Sequence, residues 1–417
     1  MKAISKKVKG VEELEQMLLF RDQQMKLLLQ VTEAINSNVS ARGLLKMYEN
    51  MLVKHLGIKK IAVFIYNTSW ICPNANGIDR HDAEDLIIPY LLSFKQITNL
   101  KKVNHALAHQ FEVVIPVYHK DIPLSFTFLA HMHHEQGISI EEELNYIQTI
   151  ASVINVAIEN KKLFRMQMKQ KFLKSEMEMA GQMQTMLIPG TLPNDERLAM
   201  AGVYLPHQEV GGDYYDYIEL NQDECIFCIA DISGKGVAAA LLMASFQASV
   251  RSYAEKSNSL ASLVEQLNAR VNEITKGEKF ITLFLAKYNH KTRELQYVNA
   301  GHNPPLLIHE NEIVPLNDGC TILGMFEKLP YINVKKMKLE GGFTVFCYTD
   351  GLVDIENEKR ETMNVEHLIA FLEKNKTENP VELNKIMVDH IVSHKGNKMI
   401  NDDISLLTCR ILPQPID

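Results

Sequence analysis

Apolar and polar positions in the first 160 residues alternate between helical and extended patterns. Apolar residues recur at helical spacing over residues 11–37, which predicts an amphipathic helix. A second helix is predicted over residues 40–57, with Ser40 as its N-cap and Gly57 as its stop. Residues 138–160 return to the helical pattern. Apolar runs predict strands at KKIAVFIY (residues 59–66), FEVVIPVY (111–118) and LSFTFLAH (124–131). This order of elements predicts an antiparallel sheet flanked by helices.

A long helical pattern then continues from Ile147 to Met186, with dense charges between Lys161 and Lys174. A helix of this length between two domains is suited to pair with a second copy and to transmit a signal. Its heptads are imperfect, so a helix that packs on the following domain is an equal alternative. Residues 190–193 contain glycine and proline and end the pattern.

Four carboxylates follow or border apolar strands in the second half of the chain. They are Asp213 in VGGDYYD, Asp231 in IADISGKG, Asp350 in CYTDGLVD and Asp402 in NDDISLL. A rigid sheet can hold a carboxylate at the end of a strand in a fixed position. Because four such groups repel one another when they meet, we expect hard cations such as Mg²⁺ or Mn²⁺ to lie between them.

Composition narrows the class of protein. The 417 residues allow two or three domains. A net charge of −7 gives no basic surplus for nucleic-acid binding. No apolar run is long enough to span a bilayer, and the first residues lack the apolar segment of a signal peptide, so we expect a cytoplasmic protein. Six scattered cysteines predict reduced thiols.

The first domain resembles the GAF family of sensor domains. The resemblance rests on the order of elements and on the segment QVTEAINSNVSARGLL, residues 30–45. It implies a small-molecule effector, whose identity the sequence does not specify.

The second domain resembles the PPM-type metal-dependent serine/threonine phosphatases, in particular their bacterial SpoIIE-like branch. The motifs that carry this resemblance are QMQTMLIPGTLP (residues 182–193), NAGHNPPLLI (299–308) and DDISLL (402–407), together with the four acidic motifs. The resemblance implies an αββα sandwich, and the fold class is α/β (α+β). The expected domains are an N-terminal helix (1–30), a GAF-like sensor (31–160), a helical linker or switch (161–190) and a phosphatase domain (191–413).

The same resemblance assigns metal ligands. Asp213 and Asp231 would be the central ligands, with Asp231 bridging two divalent cations, Mn²⁺ or Mg²⁺. The carbonyl of Ile232, the carboxylate of Asp350 and that of Asp402 would complete the set. Hydrolysis would then use a water molecule activated by the metal ions, which agrees with the lack of a persuasive cysteine or serine nucleophile motif.

Four further residues are candidates for the site. Two of them are expected to support the metal ligands, and the other two each have two interpretations. Asp403 and Asp216 are expected to support the ligands. Lys235 could contact a substrate phosphate or a carboxylate, or it could be a solvated loop lysine. His302 could protonate the leaving serine oxygen, although a turn before two prolines favours hydrogen bonds to its own backbone.

The expected function is removal of phosphate from serine or threonine of a regulatory protein, with a STAS-type anti-sigma-factor antagonist as the substrate and a homodimer as the assembly. The alternative is a phosphatase-fold scaffold that binds signalling partners with little or no turnover. A histidine-kinase-like or cyclase output domain is disfavoured because the glycine motifs of an ATP lid are not evident.

Overall fold

The chain divides within a long helix into two units, Met1–Gln170 and Lys171–Asp417. The computed structural model describes residues 2–132, 139–310 and 312–413. We call the two parts the N-terminal unit and the C-terminal unit. Within the described ranges, no helix combines the length and the apolar character that crossing a bilayer requires.

The described residues of the N-terminal unit form one antiparallel sheet and four α-helices, the last of which continues into the C-terminal unit. The strands are β1 (Lys60–Tyr66), β2 (Trp70–Asn76), β3 (Thr98–Asn99), β4 (Val113–His119) and β5 (Ile122–Ala130). The helices are α1 (Lys2–Asn36), α2 (Ala41–Asn50), α3 (Arg80–Ile87) and α4 (Ile140–Thr185), with short helical turns at Met51–His55, Ile88–Ser93 and Ala106–His109. The strand order is β2-β1-β5-β4-β3. The three strands that the apolar runs predicted are therefore present.

Alternate residues of β1 supply two separate cores. Ile61 and Val63 pack with side chains of α1, α2 and α4 on one face of the sheet. Ala62 and Phe64 point to the other face, where they pack with α3 and with aromatic residues such as Phe128. This period of two is what an extended strand with both faces covered requires. Helices therefore lie on both faces of the sheet.

Helix α4 joins two segments that the sequence pattern treated separately, residues 138–160 and 147–186. It is 46 residues long. The segment contains no proline and a single glycine, Gly181, so nothing in it interrupts the backbone hydrogen bonds. The last turns of α4 belong to the C-terminal unit.

The C-terminal unit contains eleven strands and five complete helices among its described residues. The strands are β6 (Leu198–Leu205), β7 (Tyr214–Glu219), β8 (Glu224–Ile232), β9 (Ile281–Asn289), β10 (Glu294–Ala300), β11 (Leu306–His309), β12 (Glu312–Pro315), β13 (Gly319–Cys320), β14 (Lys335–Lys338), β15 (Phe343–Tyr348) and β16 (Ile404–Ile411). The helices are α5 (Val237–Ala254), α6 (Leu260–Thr275), α7 (Asp350–Val353), α8 (Val365–Asn375) and α9 (Pro380–Lys395).

These strands form two sheets that pack face to face. One has the order β13-β10-β9-β8-β7, with β14 also paired to β10, and the other has the order β12-β11-β15-β16-β6. Met243 of α5 and Leu267 of α6 pack in the core that includes the first sheet. Leu372 of α8 and Met387 of α9 pack on the second sheet. The predicted αββα sandwich is therefore confirmed for this unit.

Candidate active site: carboxylates at the strand ends

The sandwich brings the predicted carboxylates to the ends of neighbouring strands. Asp213 directly precedes β7, and Asp231 is the last residue but one of β8. Because Tyr214 pairs with Ala230 across these strands, Asp213 and Asp231 lie at the same end of the pair. Asp350 opens α7 shortly after β15, and Asp402 precedes β16 in the second sheet. The two sheets therefore contribute carboxylates to one edge of the sandwich.

Asp213 is buried, and a hydroxyl group from the other sheet holds it. It is 2% exposed, and Thr349 donates a hydrogen bond of 2.8 Å from Oγ1 to its Oδ2. The backbone N–H of Ser405 donates to the same Thr349 oxygen at 2.8 Å. Burial, followed by the charges of Asp231 and Asp403, raises the pKa of Asp213 well above its ordinary value. A buried carboxylate with raised pKa favours a cation beside it.

Asp231 lies within the electrostatic reach of three other carboxylates. Its pKa is raised from 3.8 to about 7, first by burial and then by Asp350, Asp402 and Asp403. Burial and the neighbouring Asp402 also raise the pKa of Asp350. Like charges that raise one another's pKa concentrate at functional sites, where a cation would relieve their repulsion.

Asp403 anchors the loop that carries Asp213. Its Oδ1 accepts a hydrogen bond of 2.8 Å from the backbone N–H of His207, and its Oδ2 accepts one of 2.8 Å from the N–H of Gly212. A Cβ atom at Gly211 would lie 2.0 Å from Asp403 Oδ2, so only glycine permits this approach. Asp403 thus holds the backbone at Gly212, next to Asp213, in place.

Lys235 pairs with one of the carboxylates. Its Nζ lies 2.9 Å from Oδ2 of Asp402, with 45% and 41% of the two side chains exposed. The same Nζ donates a hydrogen bond of 2.8 Å to the carbonyl of Asn401. Lys235 therefore links the loop after β8 to the loop before β16, in contact with a carboxylate.

Asp216 points away from this cluster, towards α5. It is fully buried and accepts two hydrogen bonds of 2.7 Å from the guanidinium of Arg251. Tyr214 also donates to it. Residues three apart on an extended chain face opposite sides, so Asp216 cannot share the face of Asp213. The structure places Asp216 in an anchor between β7 and α5.

His302 is buried in the turn after β10. Its Nδ1 and the Thr282 hydroxyl share a hydrogen bond of 2.9 Å, and its backbone N–H donates to Oδ1 of Asn299 at 2.8 Å. Burial lowers the pKa of His302 to about 4. The ring is therefore neutral at neutral pH, and no imidazolium proton is available there for a leaving group.

Gln184 contacts the site, although the sequence pattern did not single it out. This buried residue lies in the last turn of α4. Its Nε2 donates to the carbonyl of Gly211 at 2.6 Å, and the N–H of Gly211 donates to its Oε1 at 3.1 Å. One turn earlier, a Cβ atom at Gly181 would lie 1.9 Å from the carbonyl oxygen of Glu209. Helix α4 is thus fixed directly to the loop that leads to Asp213.

The oxygen atoms around Gly212 fit a hard cation. A Cβ at this position would lie 2.8 Å from the carbonyl oxygen of Ile232 and 3.6 Å from Oδ1 of Asp231. Carboxylate and carbonyl oxygens are the ligands that Mg²⁺ and Mn²⁺ prefer. In the described part of the chain, no three His, Cys, Asp or Glu side chains converge tightly enough to hold one ion. The chemistry of the donors, and not a closed arrangement of side chains, is what fits such an ion here.

Known proteins resemble part of this chain, and the family match lies in the C-terminal unit. Residues 221–412 match the family described as Stage II sporulation protein E (SpoIIE). Phosphoserine phosphatase RsbU of Bacillus subtilis (strain 168) is 27% identical over 240 residues, which cover 57% of this chain and 66% of RsbU. Phosphoserine phosphatase RsbP of the same organism is 24% identical over 186 residues, 43% of this chain and 46% of RsbP. The chain therefore spans less than two thirds of the length of either relative.

A solved structure agrees with the architecture. The SiaA-PP2C domain of Pseudomonas aeruginosa matches with a TM-score of 0.52 and 20% sequence identity, and the match covers 58% of this chain and 98% of that domain. At this identity the likeness concerns the fold. Together with the two sheets described above, it shows that the C-terminal unit has the PP2C-type phosphatase fold, within which residues 221–412 resemble the SpoIIE family.

Proposed function

We propose that this chain is a metal-dependent protein phosphatase that hydrolyses phosphoserine or phosphothreonine of a regulatory protein. The observation that carries the proposal is the electrostatic coupling of Asp231 to Asp350, Asp402 and Asp403 at one edge of the sandwich. Two relatives named phosphoserine phosphatases support the reaction class.

Two divalent cations, Mn²⁺ or Mg²⁺, are the expected cofactors. The side chains of Asp213, Asp231, Asp350 and Asp402 would hold them, with the carbonyl of Ile232 as a further ligand. When bound, such ions lower the pKa of a water molecule and neutralise charge on the phosphoryl oxygens. All of these protein donors are oxygens, as hard cations prefer.

The surrounding residues hold these donors in place. Thr349 fixes the carboxylate of Asp213 from the opposite sheet, and Asp403 fixes the Gly212 amide. Lys235 is part-exposed beside Asp402, where its ammonium group can also attract a phosphate dianion. Pre-arranged groups of this kind need little reorganisation during the reaction.

A cysteine nucleophile is not available. All six cysteines are free and buried, and burial raises the pKa of each thiol. A thiol must ionise to attack phosphorus, and these thiols are neutral at physiological pH. The geometry therefore favours attack by water.

A STAS-type anti-sigma-factor antagonist is the proposed phosphoprotein, on the strength of the resemblance to SpoIIE-like phosphatases. The N-terminal unit is proposed to be a GAF-like sensor for a small molecule. Its antiparallel sheet with helices on both faces supports that assignment.

A scaffold with the same fold remains the competing function. Both functions use the same surface, and turnover separates them. Retention of all four carboxylates favours the enzyme, because a scaffold has no need for a cluster of mutually repelling groups.

The test is hydrolysis of p-nitrophenyl phosphate and of a serine-phosphorylated STAS-domain protein with Mn²⁺, with Mg²⁺ and with EDTA. We expect metal-dependent turnover that is lost in Asp231→Asn and kept in Asp389→Asn, an exposed site on α9. Stable metal and partner binding with no turnover would establish the scaffold instead.

A further inference from the structure

Exposed apolar side chains adjoin the carboxylate site on the C-terminal unit. Phe280, Met325 and Phe326 are 42%, 56% and 45% exposed. We call these three residues the docking patch. Single exposed apolar residues are ordinary, whereas a group of them beside a catalytic edge marks a contact surface.

Strand pairing brings the segments of the docking patch together. Ser233, two residues after Asp231, donates its N–H to the carbonyl of Phe280 at 2.9 Å. The N–H of Phe280 donates to Oγ of Ser233 at 2.9 Å. Next to them, Ile281 pairs with Leu323. The loop after β8, the start of β9 and residues 323–326 therefore meet beside Asp231.

The loop that presents Met325 and Phe326 is firmly held. Asn268 and Asn272 of α6 donate hydrogen bonds of 3.0 Å and 2.9 Å to the carbonyl of Phe326. The N–H of Gly324 donates to Oδ1 of Asn268 at 2.9 Å. The backbone is thus fixed while two large side chains stay exposed, which is an arrangement suited to binding with little loss of entropy.

Two lysines lie on the segments that carry Phe280 and follow Asp231. A Cβ at Gly234 would lie 2.5 Å from Nζ of Lys279, so this ammonium covers the backbone three residues after Asp231. Lys279 forms no ion pair with any residue that the structure describes. Lys235 lies on the same loop. Positive charge at the rim complements the dianion of a phosphoserine.

We propose that the docking patch binds the folded surface of the phosphoprotein substrate beside its phosphoserine. The inference rests on the proposed phosphatase function and adds how the substrate is selected. Apolar contacts remote from the reacting phosphorus supply binding energy that a small phosphoester lacks. Phe280, Phe326 and Met325 are residue types that concentrate binding energy at protein interfaces.

Three substrates separate docking from chemistry. They are p-nitrophenyl phosphate, a serine-phosphorylated STAS-domain protein, and a short phosphoserine peptide copied from that protein. For the full-length enzyme with Mn²⁺, we expect Phe326→Ala and Met325→Ala to lower kcat/KM for the folded phosphoprotein by at least about tenfold. The kcat/KM of these variants for the peptide and for p-nitrophenyl phosphate should stay within about twofold of the wild-type value, because the substitutions do not change the carboxylates.

Val392→Ala is the matched control. Val392 lies on α9, is 55% exposed, and belongs to no segment of the docking patch. We expect it to leave all three kcat/KM values unchanged. Sedimentation of Phe326→Ala is measured as well, and its oligomeric state should equal that of the wild-type protein.

Three outcomes would overturn the inference while the phosphatase function stands. The first is an equal loss for all three substrates, and the second is no loss for the folded phosphoprotein. The third is a changed oligomeric state in Phe326→Ala, which would assign the docking patch to a second copy of the chain. Absence of p-nitrophenyl phosphate turnover by the wild-type protein would instead refute the proposed function, and the docking inference with it.

Discussion

The side-chain amide of Gln184 forms two hydrogen bonds with the backbone of Gly211. The amide nitrogen of Gln184 donates to the carbonyl of Gly211, and the amide oxygen accepts from the N–H of Gly211. This pair of hydrogen bonds joins the last turn of α4 to the loop before Asp213. Since the pair is buried, neither group can exchange its partner for bulk water without local opening.

Gln184→Ala should therefore lower catalysis without unfolding the protein. Loss of the amide leaves both polar groups of Gly211 unpaired, at a cost of about 1–3 kcal/mol, and loosens the position of Asp213. We expect a drop in kcat and a rise in the Mn²⁺ concentration needed for half-maximal activity. Isothermal titration of Mn²⁺ measures the second effect independently of turnover.

The control for this variant is Gln182→Ala, because Gln182 lies on the same helix and its side chain is exposed. Unchanged Mn²⁺ affinity in Gln184→Ala would show that the helix does not set the position of the carboxylates.

Asp231→Asn should change the pH dependence of stability in metal-free protein. The folded-state pKa of Asp231 is about 7, above its ordinary 3.8. The folded state therefore binds the proton more tightly than the unfolded state does. The stability that protonated Asp231 contributes to the folded state is fully present below about pH 4. It is lost as the pH rises through about 7.

Urea denaturation in EDTA between pH 4.5 and 7.5 checks this sign. The wild-type protein should lose more stability over that range than Asp231→Asn does, since an amide cannot ionise. A steeper loss in the variant would contradict the electrostatic coupling of the carboxylates, and Asp389→Asn serves as a surface control.

Sequence patterns predicted the positions of the acidic residues better than the contacts that support them. Asp213, Asp231 and Asp350 each follow or border an apolar run, so the pattern was enough to place these carboxylates near strand ends. No such rule identifies Gln184, because a helical pattern does not show which polar residue meets a loop 27 positions away. Long-range partners depend on the packing of whole elements.

For Asp216 the sequence suggested a partner, but a different one from the partner that the structure shows. Its proximity to Asp213 in sequence suggested a role beside the metal ligands, yet strand alternation turns it towards Arg251, 35 residues later. The period of two was present in the sequence, but a partner on α5 becomes evident only when the helix has been placed against the sheet.

Arg251→Met should destabilise the C-terminal unit by about 3 kcal/mol, because it leaves the fully buried Asp216 carboxylate without its cation. Equilibrium urea denaturation measures the change. The double variant Asp216→Asn/Arg251→Met removes both charges and should lose less stability than Arg251→Met alone. If the double variant is the less stable of the two, the two side chains do not act as a pair.

Exposed apolar residues on the last turns of α4 predict a dimer seam. Phe172, Met179 and Met183 recur at spacings of seven and four, on the side of the helix opposite Gln184, and Met186 directly follows the helix. Water contact with such a stripe is unfavourable, and a second copy of the helix would cover it.

We expect the full chain to sediment as a dimer and the double variant Met179→Glu/Met183→Glu to sediment as a monomer. Val392→Glu, an equally exposed change on α9, should remain dimeric. A wild-type monomer, or a dimer that survives the two charges, would show that α4 does not pair along this stripe.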